Sequence, residues 1–138
     1  MTTYELTVEH VKDDVMRCVT PSGHEVVMDS LGEPAAAGPT PVELLAVSVA
    51  ACSLMDIASI LAKRRLEFRD LKGHVVAERR EQHPRAFTAI HVRFEVAGEV
   101  PEADLDRACR LSVEKYCSVM ATVREAPPIT WEGMVVSA

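Results

Sequence analysis

Four cysteines, Cys18, Cys52, Cys109 and Cys117, are the side chains best equipped for chemistry in this sequence. A thiol can ligate a metal, close a disulfide or, as a thiolate, attack an electrophile, and spacing helps to separate these uses. No two cysteines form a CxxC and none stands in a Cys/His pattern, so zinc and a thioredoxin-type couple both lack sequence support. A structural disulfide is disfavoured in a chain expected to be cytoplasmic, where thiols stay reduced. Cys18 in a strand and Cys109 on an apolar helical stripe read as small buried hydrophobes. Cys52 is flanked by Ala50, Ala51 and Ser53, and Cys117 is followed by Ser118, small residues that let a ligand or another backbone approach. On spacing alone these two stay open between ordinary core cysteines and a redox pair.

The element that must position Cys52 runs from Thr40 to Arg65, TPVELLAVSVAACSLMDIASILAKRR. Thr40 is a hydroxyl N-cap, Pro41 suits the first helical position, and Glu43 completes a capping box. Lys63, Arg64 and Arg65 suit the C-terminus. Between these ends the helix is apolar on all faces, which calls for burial at the centre of the fold or against a second subunit. Its length could also cross a bilayer of about 30 Å. Glu43, Ser48, Ser53, Asp56 and Ser59 argue against that, since a charge at the bilayer centre costs at least ~2.5 kcal/mol.

Before this helix, Tyr4 to His10, Val15 to Thr20 and His24 to Asp29 read as an antiparallel meander, with turns at Lys12, Asp13 and Asp14 and at Pro21, Ser22 and Gly23. Ser30 to Pro39 reads as a loop. After the helix, Gly73 to Gln82 and Phe87 to Ala97 form a hairpin, the second strand alternating cleanly from Thr88 to Val96. Pro101 to Tyr116 is a helix with a stripe at Leu105, Ala108, Cys109, Ser112 and Tyr116. Ser118 to Ala126 is helical, Pro127 and Pro128 end it, and Ile129 to Val136 is expected as a last strand. This order makes the chain α+β, and its 138 residues suit a single domain, 1–138. A net charge of -6 with no aromatic-basic patch argues against nucleic acid. The polar, alternating start MTTYELTVEH does not read as a signal peptide.

VELLAVSVAACSLMDI, followed by a strand hairpin and then EKYCSV, resembles the OsmC/Ohr superfamily of thiol-dependent peroxidases. AERREQHPRAF and VEKYCSVMATV are most similar to its YhfA-type branch. The resemblance implies an OsmC-like fold and an intertwined homodimer whose long central helices pack together, with active sites at the subunit interface. It implies that Cys52 is the peroxidatic thiolate, oxidised by an organic hydroperoxide to a sulfenic acid, and Cys117 the resolving cysteine, with an external dithiol, lipoyl-type or other, as reductant. No cofactor and no metal is implied. The family also supplies a glutamate near the start of the central helix and an arginine that hold the thiolate.

Glu43 matches that glutamate. Nine residues of helix separate it from Cys52, about 900° of rotation and roughly 13 Å of rise, so a shared site requires two chains; otherwise Glu43 only caps its helix. The arginine of Ohr-type members belongs in the turn after the first strand, where this chain has Lys12, Asp13 and Asp14. Arg79, Arg80 and Arg85 are candidate substitutes, since a guanidinium can stabilise a thiolate or grip an anion; a solvated hairpin face is the alternative. Ser118 stands where many members have proline. Leu45, Val49 and Met55 are expected to line an apolar pocket suited to alkyl or lipid hydroperoxides. The alternative function is a small-ligand-binding or stress-response dimer of the same fold without efficient peroxidase activity.

Overall fold

Hydrogen-bonded turns set the register of the first strands. A computed structural model of the chain describes residues 1–32 and 36–137. Strands β1 (Val8–Lys12), β2 (Val15–Val19) and β3 (Glu25–Met28) form an antiparallel sheet in the order β1-β2-β3. Asp13, at φ 46, turns the chain after β1, and its carbonyl is 2.8 Å from His10 Nε2. Gly23, at φ 88, does the same before β3. On the outer face Arg17 lies between Glu9, at 4.0 Å, and Glu25, at 3.1 Å, exposed cross-strand pairs of small energetic weight.

This sheet belongs to the first of two compact units, Met1–Ser48 with Ala77–Ile90. The loop expected over Ser30 to Pro39 returns beside β3: Asp29 N–H donates to the Pro39 carbonyl at 3.1 Å, and Asp29 Oδ2 accepts from Ala37 N–H at 2.9 Å. Residues 33–35 of that loop lie outside the described residues. The long helix α1 (Pro41–Lys63) begins with the expected reciprocal cap. Thr40 Oγ1 accepts from Glu43 N–H at 3.1 Å while Glu43 Oε1 accepts from Thr40 N–H at 2.9 Å. The hairpin tip, also in this unit, closes through Arg80 N–H to the Ala86 carbonyl at 3.0 Å.

The second unit, Val49–Val76 with His91–Ala138, holds the apolar core. On α1 its buried positions are Val49, Ala50, Ser53, Ile57 and Leu61, a stripe repeating every four residues. Ile57 and Leu61 meet Ala108 of α2 (Glu102–Leu111), and all three are fully buried. Phe68 and Leu71 of β4 (Phe68–Arg79), Phe94 of β5 (Phe87–Gly98), Leu105 and Cys109 pack around them. Cys109 therefore sits where the stripe put it, and burial first, then the Asp106 carboxylate, pushes its thiol pKa up. Beyond Lys63, helix α1 is closed by Arg65, in left-handed backbone at φ 60, with Leu66 N–H bonded to the Leu61 carbonyl at 3.1 Å and Arg65 N–H to the Ala62 carbonyl at 2.9 Å. That is a Schellman closure without glycine. Arg64 then pairs with Asp104 at 2.6 Å.

The architecture is mixed α+β with antiparallel strands and one long helix. Three expected boundaries differ. Tyr4 to Leu6 lie outside β1 and are exposed, and β4 starts at Phe68 rather than Gly73. Helix α2 stops at Leu111, and residues 112–116 widen into a π-turn before α3 (Ser118–Arg124). The expected last strand over Ile129 to Val136 is absent; those residues have no regular structure, and Ile129, Trp131 and Val135 are exposed. A strand exists only as part of a ladder, and among the described residues this segment pairs with no strand.

Candidate functional site

Cys117 is placed by the irregular turn in front of it. A helix continued from α2 would bond its N–H to residue 113, but Cys117 N–H donates to the Ser112 carbonyl, five residues back, at 2.8 Å. The extra residue in that turn rotates the chain, a device found often at functional sites. Ser112, fully buried, anchors the turn by donating to Asp56 Oδ2 of α1 at 2.9 Å. Cys117 then adopts extended backbone and serves as N-cap of α3, its Sγ accepting from Met120 N–H at 3.4 Å. Only 3% of Cys117 is exposed.

Cys52 approaches the same place from α1. It is half-buried, next to the fully buried Ser53. The Val119 backbone N–H beside its sulfur favours the thiolate, but burial and the neighbouring Cys117 thiol, by hydrogen bond and by charge, outweigh it and leave the Cys52 pKa above its ordinary value. Ser53 Oγ lies 3.3 Å from Cys117 Sγ and 3.5 Å from Met120 Sδ. The fold thus makes neighbours of the two singled-out cysteines, both free thiols. Neighbouring thiols are the arrangement that dithiol–disulfide exchange requires.

The other candidates belong to the first unit. Glu43 has its carboxylate in the cap of α1. Arg79, Arg80 and Arg85 stand at the hairpin tip, where Arg79 Nε donates to the Arg85 carbonyl. Of the residues expected to line an apolar pocket, Val49 is buried whereas Leu45 and Met55 are exposed. A cleft of about 400 Å³ lies further along α1, lined by Asp56, Ile60, Lys63, Arg107, Leu111 and Tyr116 among others. Among the described residues, no three His, Cys, Asp or Glu side chains converge as a metal site requires. Sequence reasoning missed Ser53, Asp56, Ser112 and Met120 as parts of the site. The available signal was polarity out of place, since Ser53 and Asp56 interrupt an apolar helix and Ser112 an apolar stripe.

The family model described as OsmC-like protein matches residues 32–132, a span that includes both cysteines. The chain belongs to the OsmC-like family. Within it, Protein YhfA of Escherichia coli strain K12 is 40% identical over 118 residues, which cover 85% of this chain and 87% of YhfA. The crystal structure of a hypothetical protein from Aquifex aeolicus VF5 is similar at a TM-score of 0.80 and 35% identity, covering 91% of this chain and 90% of that one. The organic hydroperoxide resistance protein OhrB of Bacillus subtilis has a TM-score of 0.57 at 18% identity, covering 91% and 93%, a likeness of fold alone. Helix α1, long and apolar enough by length and composition to cross a membrane, lies inside the region matched to the OsmC-like family.

Proposed function

We propose that this OsmC-like chain is a thiol-dependent peroxidase that reduces organic hydroperoxides, and the observation that carries the reading is that Cys52 and Cys117, 65 residues apart in a chain of this family, are neighbours in the fold. The Cys52 thiolate attacks the terminal peroxide oxygen. The O–O bond breaks, the alcohol departs with a proton, and Cys52 is left as a sulfenic acid. Cys117 then attacks that sulfur, water leaves, and a disulfide forms. An external dithiol returns the two electrons and regenerates both thiols. Cys52 is the accessible member of the pair and Cys117 the buried one, an order that suits attack followed by resolution.

The Cys52 thiolate needs a stabiliser beyond the groups around it in its own unit. Arg79, Arg80 or Arg85, and Glu43 from a second copy, are the residues proposed for that role. The active form is proposed to be a cytoplasmic homodimer folded as one OsmC-like domain per chain, since a single family model runs through residues 32–132. Exposed Leu45, Val47 and Met55 on α1 support pairing of the long helices. The second reading is a ligand-binding dimer without efficient turnover, favoured by the raised Cys52 pKa and by Lys12, Asp13 and Asp14 in the first turn.

Cumene hydroperoxide separates the two. Turnover predicts loss of two thiols per chain and a Cys52–Cys117 disulfide by mass spectrometry, with all peroxide consumption lost in Cys52→Ser. Protein that keeps its free thiols under this treatment would sink the peroxidase reading.

A further inference from the structure

Ser53 has one hydroxyl proton and three acceptors within reach: the Val49 carbonyl at 3.3 Å, Cys117 Sγ at 3.3 Å and Met120 Sδ at 3.5 Å. A serine within a helix ordinarily donates to the carbonyl four residues back, and neutral thiols and thioethers are weak acceptors. A thiolate is charged and draws the proton to itself. Met120 N–H also points at Cys117 Sγ, at 3.4 Å. With Ser53 fully buried and Cys117 3% exposed, water does not compete for either group, so both donors become most valuable when Cys117 carries the charge.

We propose that Ser53 is a positioning residue which holds Cys117 as the leaving thiolate when the Cys52–Cys117 disulfide is reduced, directing the incoming thiol to Cys52. This rests on reading the two cysteines as a redox pair. The thiolate of an external dithiol attacks Cys52 Sγ, the S–S bond breaks, and its electron pair passes to Cys117 Sγ, where the Ser53 O–H and Met120 N–H receive it. The dithiol's second sulfur then displaces Cys52 and is itself oxidised to the disulfide. Exchange is faster with the better-stabilised leaving sulfur, and burial keeps the attacking thiol from Cys117.

The test makes the disulfide with diamide, so that peroxide chemistry plays no part. The oxidised protein is treated with dithiothreitol to measure the reduction rate and, separately, with glutathione, acid-quenched and mapped to find which cysteine carries the mixed disulfide. Glutathione is expected on Cys52. Ser53→Ala is expected to slow reduction roughly tenfold and to move part of the glutathione to Cys117, with Ser53→Thr restoring the original pattern. Glutathione on Cys117 in the unaltered protein, or a Ser53→Ala variant with unchanged rate and partition, overturns the proposal. So does failure of diamide to form the disulfide. If Ser53→Thr does not fold, the rate and partition of Ser53→Ala against the unaltered protein decide. Protein inert to hydroperoxides whose diamide-made disulfide opens as described removes the peroxidase reading and leaves this one standing.

Discussion

Cys52 carries a thiol that its surroundings make harder to ionise. The Val119 N–H beside it works toward the thiolate, and desolvation together with Cys117 works against it more strongly. Only the thiolate attacks a peroxide, and a raised pKa moves its appearance to higher pH. Peroxide consumption is therefore expected to climb steadily from about pH 6 to about pH 9, measured as initial rates at fixed hydroperoxide. A profile already level at neutral pH would show that a cation, such as one of the three hairpin arginines, keeps Cys52 ionised. At this scale the offset of Thr40 and Glu43 was enough to read the cap, whereas spacing left Cys52 and Cys117 open and the family resemblance singled them out. Neither pointed to Ser53, whose hydroxyl matters only because Cys117, 64 residues further on, comes within 3.3 Å.

The elements have local causes where they were read correctly. Helix α1 has its cap, its apolar length and its basic end in consecutive residues, and the β4–β5 hairpin has its alternation. The π-turn ahead of Cys117 has no such signature, because it depends on Ser112 finding Asp56 on another helix. The end of the loop before α1 is set by contact too. A Cβ added at Gly38 would come within 2.2 Å of the Val27 carbonyl oxygen, a backbone atom that cannot swing aside. Gly38→Ala is accordingly expected to destabilise the protein by about 1–3 kcal/mol, read as a lower midpoint in urea unfolding. An unchanged midpoint would mean that the loop shifts freely.

Over the whole molecule, apolar side chains remain uncovered. Leu45, Val47 and Met55 are 42%, 58% and 74% exposed on α1, and Ile129 and Trp131 are 87% and 89% exposed in the C-terminal segment. Single apolar residues on a surface are ordinary, but several on one apolar helix are what a second copy would be expected to cover. The proposed homodimer would cover those on α1 and would offer the unpaired C-terminal segment a strand edge. Met55→Asp is expected to shift sedimentation velocity from a dimer to a monomer and to remove peroxide consumption with it. A fully active monomer would refute the shared site.

The amino-acid sequence by itself determined the α+β class, the long capped helix and the family, because each is written in residue types and motifs along the chain, and the family in turn pointed to the two cysteines. Tertiary structure alone decided that Cys52 and Cys117 are neighbours, that Ser53 O–H and Met120 N–H point at Cys117, and that burial and Cys117 raise the Cys52 pKa. These depend on distances between residues far apart in the chain, and on water excluded from between them. The expected last strand failed for the same reason. The apolar, strand-like residues of Ile129 to Val136 state a preference for a ladder, and only a neighbouring edge can satisfy it.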